Sequence, residues 1–257
     1  MTEPERRSAT ADEGREHPGD LLRHLVRAHP WHGVDLGPQA PERVMAYVEI
    51  VPTDTVKYEL DKESGILKVD RPQQFSNVCP ALYGFLPRTY CAARVAASAA
   101  ERTGKPVEAG DGDPLDVCIL SEKSFSHGDI LLRARPIGGL LLLDRGEADD
   151  KILAVLEGDA AYGHLEDVTE LPRALVARLE HYFLTYKRAP GADRVEQDIA
   201  RVYGRTEAYT VIERSREDYD ASFPQLETRL LAALKCALEP VVPARSGRSD
   251  AGAEVSA

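Results

Sequence analysis

The chain has 257 residues, 43% of them hydrophobic, enough to bury a core, and this excludes disorder throughout. Its 32 basic and 43 acidic residues leave a formal charge of −11, which argues against general affinity for nucleic acid or an anionic membrane surface. No run approaches the roughly 20 apolar residues of a membrane span, Met1 to Asp20 has no signal-peptide core, and four cysteines without paired spacing point to a reducing, cytoplasmic compartment.

Residues 1–43 mix charges with Pro, Gly and His around one apolar patch, Leu21, Leu22 and Leu25. They read as an N-terminal arm, mobile through about Pro41, with a helical turn at the patch. From Met45 short apolar runs alternate with turn residues, as in a β-rich domain. Val56 to Leu60 and Ile66 to Val69 flank Asp61 to Gly65 and predict a hairpin with Lys57 and Glu59 on one face. Further runs at Leu115–Leu120, Ile130–Arg135, Leu140–Leu143 and Ile152–Leu156 are separated by short polar loops. That spacing suits a small closed barrel better than alternating βαβ units. Thr169 can cap a helix on which Leu171, Leu175, Leu179, Tyr182, Phe183 and Tyr186 form an apolar stripe to pack across the barrel. Two more helices, about Arg205 to Ser222 and Gln225 to Leu238, precede a tail expected to be disordered. The expected class is α+β, mainly β: a small closed OB-like barrel packed by an amphipathic helix and C-terminal helices.

Asp111-Gly112-Asp113-Pro114-Leu115-Asp116 places three carboxylates within six residues ahead of an apolar strand. Charges this close repel unless something compensates them, and a hard divalent metal is the simplest compensation. A solvated acidic turn is the plain alternative. An EF-hand loop fails because Asp116 occupies the required glycine place. A second acidic group, Asp144 to Lys151, reads as a loop between two strands. If both loops open at one barrel mouth, their acids converge there, Glu49 and Glu59 can join them, and more than one Mg²⁺ is implied. Alone, the second group is equally a charged hairpin. Lys57, Arg71, Lys151, Tyr186 and Lys187 interleave with these acids and supply what holding phosphate oxygens against Mg²⁺ requires. Each taken singly also fits a surface ion, and Lys187 a helix-end charge.

In order, Glu49, Lys57-x-Glu59, Asp61-Lys62, Asp70-Arg71, Tyr83-Gly84, the D-x-D-P-x-D run, Asp144, Asp149-x-Lys151 and Tyr186-Lys187 closely resemble the soluble family I inorganic pyrophosphatases. The resemblance covers about Val44 to Phe223 and implies a catalytic domain at 44–225, with a C-terminal helix and disordered tail at 226–257. It implies Mg²⁺-dependent hydrolysis of inorganic pyrophosphate, bound as its magnesium complex, with no nucleic acid or membrane partner. By the same resemblance Asp111, Asp116 and Asp149 ligate the tightest Mg²⁺, with Asp116 bridging to a second ion. Asp144, Glu49 and Glu59 belong to the further metal network, and Asp113 is the general base, with Tyr83 beside it. Lys57, Arg71, Lys151, Tyr186 and Lys187 bind the phosphoryl groups. A homo-oligomer is implied, hexameric in compact bacterial members and dimeric in eukaryotic ones.

Two positions depart from the family pattern: Cys79 where several bacterial members carry a tyrosine, and Arg145 where some carry an acid. Tyr90 to Gly110 looks longer than in compact members. The alternative readings are a metal phosphohydrolase preferring polyphosphate or nucleotide anhydrides, and a non-catalytic OB-type binding module. The second conflicts with acidic loops and few aromatic residues.

Overall fold

Alternation in Val56 to Leu60 demands a turn after it, and the structure, a computed structural model describing residues 27–74, 76–187 and 197–238, folds one there. Strand β1 is Val44–Ile50, β2 Val56–Leu60 and β3 Leu67–Pro72. The pair β2–β3 is a separate antiparallel sheet, with Gly65 at φ +68° in its turn. Lys57 and Glu59 share a face as expected, and their side chains meet at 2.8 Å.

The larger sheet contains β4 (Leu82–Phe85), β5 (Ala109–Gly110), β6 (Asp116–Leu120), β7 (Ile130–Asp144), β8 (Glu147–Leu156) and β9 (Gln197–Gly204). Its neighbours run β5, β8, β6, β4, β1, β7, β9, and β7 pairs β8 as well. Thus β8, β6, β4, β1 and β7 close a ring around buried Ala46, Val48, Val117, Ile119 and Ile152, the small barrel expected from the spacing of the runs.

Two expectations about strands are corrected. The runs at Ile130–Arg135 and Leu140–Leu143 are one 15-residue strand. Its first half pairs β1 and its second half β9, and its register against β8 slips between Pro136 and Gly138. Pro136 to Gly139 is therefore a bend, where a Cβ on Gly138 would stand 2.5 Å from the Tyr203 carbonyl oxygen. The acidic stretch Asp144 to Lys151 is not a loop. Only Arg145 (φ +53°) and Gly146 (φ +92°) turn the chain, both in the positive-φ region a tight hairpin needs, and the acids after them lie on β8.

Helices cover the barrel. In the amphipathic segment Thr169 lies in a 3₁₀ turn capped by Asp167, and α2 is Arg173–Thr185, so it starts later than expected. Its stripe packs as the spacing requires, with Leu179, Tyr182 and Phe183 buried against Ile50, Cys118, Leu140 and Leu153. Helix α1, Ala93–Thr103, and strand β9 had no counterpart in the sequence reading. Helix α3 spans Arg205–Ser222 as expected. Its Asp218 carboxylate accepts the N–H groups of Ala92, Arg94 and Val95 at 3.0–3.2 Å and so caps α1 from another element.

Part of the expected arm is anchored. Trp31 is buried beside Tyr47, Leu60, Phe85 and Tyr219, and its indole donates to the Thr89 carbonyl at 2.8 Å. The Leu21, Leu22 and Leu25 patch and the tail from residue 239 lie outside the described residues. Val26–Pro224 is one unit; in the other, α4 is Leu226–Leu238, with Leu230 and Leu234 exposed. Among the described residues no helix is long and apolar enough to cross a membrane.

Candidate metal and anion site

Strand geometry assembles the acids. On β8, Asp149 and Lys151 face one way and Asp150 the other, because side chains alternate. Parallel pairing sets Asp116 at the start of β6 opposite Lys151, and Gly110 opposite Ala148, so the chain leaves β5 at Asp111 beside Asp149. Gly110 is glycine for a reason, since a Cβ there would collide with the Cys91 backbone. That backbone fixes the acidic loop: Cys91 N–H donates to the Asp113 carbonyl at 2.8 Å, and Gly112 N–H to the Cys91 carbonyl at 3.0 Å.

The outcome is a triad of carboxylates. Oxygens of Asp111, Asp116 and Asp149 lie within 4.8 Å of one another. The buried Lys151 ammonium donates to both Asp116 and Asp149, and the Tyr83 hydroxyl donates to Asp116 Oδ2 at 2.6 Å. Burial, then the charge of Asp149, pushes the Asp111 carboxyl well above the usual carboxylate range. Burial also raises Asp116, although Lys151 pulls against it. Burial disfavours the Lys151 ammonium too, but Asp116 and Asp149 more than offset this and hold it charged. Glu49 is buried and pushed up to about 8 chiefly by that burial, while it accepts Leu60 N–H at 2.6 Å. Three converging hard oxygen donors with one lysine between them fit a divalent cation.

Around this triad the cations are tethered by acids. Lys57 Nζ lies 2.8 Å from Glu59 and 2.9 Å from Asp70, Arg71 Nη1 is 2.6 Å from Asp70, and Lys187 Nζ is 2.7 Å from Asp144. The Arg71 guanidinium stands 5.9 Å from the centre of the Tyr186 ring. Asp113 pairs with Lys62.

All the residues given site roles from the sequence line one cavity of about 330 Å³: Asp113, Tyr83, Lys57, Arg71, Lys151, Tyr186, Lys187, Asp111, Asp116, Asp144, Asp149, Glu49 and Glu59. Within it Tyr83 bonds Asp116, whereas the resemblance implied a place beside Asp113. Lys62, Asp70 and Glu147 line the cavity too and were not assigned roles. The signal for Asp70 was its place beside Arg71 in the motif; the structure adds that Lys57 pairs Arg71 across the hairpin, with the register slipping at Asp70. Cys79 is buried in the core under α2 and does not line the cavity.

The sequence profile described as inorganic pyrophosphatase matches residues 46–220. An inorganic pyrophosphatase of Chlamydia trachomatis is 52% identical over 199 residues, covering 76% of this chain and 95% of that protein. A soluble inorganic pyrophosphatase of Zea mays is 37% identical over 195 residues, covering 73% and 82%. The crystal structure of inorganic pyrophosphatase from Thermus thermophilus superposes with a TM-score of 0.62 at 26% identity, covering 75% of this chain and 99% of that one.

Proposed function

The chain belongs to the inorganic pyrophosphatase family, whose metal-dependent enzymes hydrolyse pyrophosphate, and we propose that the metal is Mg²⁺, held first by Asp111, Asp116 and Asp149. Asp144, Glu49 and Glu59 would hold further ions accompanying the substrate. Bound Mg²⁺ supplies Lewis-acid charge on the phosphoryl oxygens and makes a coordinated water more acidic.

The chain's own groups do the rest. Lys57, Arg71, Lys151, Tyr186 and Lys187 bind the two phosphoryl groups as a magnesium complex, and the carboxylates that tether Lys57, Arg71 and Lys187 keep those cations aimed into the cavity. Asp113 takes the proton of the attacking water as its oxygen bonds to phosphorus. The bridging P–O bond breaks and phosphate leaves, its charge met by lysine and arginine. The Tyr83 hydroxyl orients Asp116. Free cysteines fit a cytoplasmic enzyme, and family likeness supports a homo-oligomer.

The single observation carrying this reading is the carboxylate triad opening onto a cation-lined cavity. The experiment compares phosphate release from pyrophosphate, tripolyphosphate and ATP with and without Mg²⁺. Release from pyrophosphate should dominate and require the metal; equal or faster turnover of ATP overturns the substrate assignment.

A further inference from the structure

Asp149 and Lys151 stand on a strand whose ladder is interrupted along one edge. On the opposite edge β7 accompanies β8 from Glu147 to Leu156. On the interrupted edge β5 pairs only Glu147 and Ala148, and β6 begins only at Lys151. Asp149 and Asp150 fall in the interval. A strand bonded along one edge is less restrained against rotation than one bonded along both, so alternate side chains here depend on what they themselves grip.

Asp150 points away from the cavity and supplies that grip. Its carboxylate is fully buried and accepts two bonds from the Arg102 guanidinium, Nη1 to Oδ1 at 3.0 Å and Nη2 to Oδ2 at 2.8 Å. A planar fork on a carboxylate fixes orientation as well as distance. Arg102 is itself confined, its guanidinium 5.1 Å from the centre of the Tyr203 ring and 3.4 Å from Glu207. It belongs to the last turn of α1, and none of residues 93–103 lines the cavity. The start of the same helix follows Cys91, whose backbone holds the loop of Asp111 and Asp113. One helix thus spans from the acidic loop to the strand that completes the triad.

We propose that Arg102 is a positioning residue: through its fork on Asp150 it holds Asp149 and Lys151 in the orientation toward Asp111 and Asp116 that metal and substrate binding require. The inference rests on the reading of Asp149 as a metal ligand and Lys151 as a substrate group.

The test uses the full chain and four variants: Arg102→Met, Arg102→Lys, the double Arg102→Met with Asp150→Leu, and Asp149→Asn. Each is titrated with Mg²⁺ by calorimetry without substrate, unfolded without Mg²⁺, and assayed for kcat and KM on pyrophosphate. Arg102→Met should weaken Mg²⁺ binding about tenfold or more, the usual effect of removing a group that orients a ligand. Arg102→Lys should recover only part, because an ammonium cannot make the fork. An apolar pair can replace a buried ion pair without loss of stability, so the double variant should match the original metal-free unfolding midpoint while Mg²⁺ affinity stays low. If Arg102→Met does not fold, the double variant alone decides. Original Mg²⁺ affinity in the double variant overturns the proposal, since the pair would then be structural only. An unchanged isotherm for Asp149→Asn overturns the ligand assignment beneath it. Loss in Asp149→Asn with none in the Arg102 variants overturns the positioning role alone.

Discussion

Asp113 and Asp116 are three residues apart, yet their surroundings divide them. Asp116 is raised by burial and gripped by Lys151 and Tyr83, whereas Asp113 is partly exposed and pairs only with a surface lysine among the described contacts. A gripped carboxylate suits a ligand and an accessible one suits proton transfer. Asp113→Asn should leave Mg²⁺ binding intact and reduce turnover by about 10² to 10⁴, the usual contribution of a general base; an unchanged rate removes that role. Asp116→Ala should lose metal affinity, and an unaltered calorimetric isotherm would contradict the ligand assignment. The charge density of D-G-D-P-L-D pointed to a cation, while the division of roles between Asp113 and Asp116 came from the family resemblance of the motif. Asp150 was not, because adjacent acids separate into cavity and anchor only once their strand and its faces are known.

Between elements, a buried aspartate and a half-buried histidine have roles that follow from contact. Asp218 of α3 satisfies three N–H groups at the start of α1. Asp218→Ala strands those donors, and a loss of about 1–3 kcal/mol is expected from unsatisfied buried groups, read by urea denaturation; an unchanged midpoint would mean water replaces the cap. His32 bonds the Tyr219 hydroxyl at 2.7 Å and stacks on Trp31, and burial foremost, then His29 and Arg88, pushes it down to about 4. Unfolded histidine titrates near about 6.5, so the unfolded chain binds more protons across that window. Stability from this group is therefore complete above the unfolded value and is lost as pH falls toward the folded one. Between pH 6.5 and 4.5 the original chain should lose stability more steeply than His32→Gln, and equal slopes would exclude the effect. Neither contact was readable in advance, since both join residues more than 120 positions apart.

For the whole molecule, metal and fold are linked. A ligand that binds only the native state adds about 2.7 kcal/mol at a hundred times its dissociation constant. The unfolding midpoint should therefore rise with Mg²⁺ and return on chelation; indifference to Mg²⁺ would mean that the triad holds none. Ile66 and Val69 on the β2–β3 hairpin are exposed apolar side chains that an interface between copies would cover. Light scattering should give the mass of a homo-oligomer, and a monomer mass removes that part of the reading.

What the sequence by itself determined was chemistry and local geometry: which acids and bases are present, the β2–β3 hairpin, the apolar stripe of α2, and the family these motifs resemble. Such features depend on neighbours a few positions away, through charge repulsion and the periods of strand and helix. Only the tertiary structure decided that β7 bends through two pairings instead of breaking, that the second acidic group is strand, and that Arg102 of α1 forks onto Asp150. Those facts depend on which distant backbones pair as the barrel closes, and the spacing that suggested a barrel does not encode those pairings.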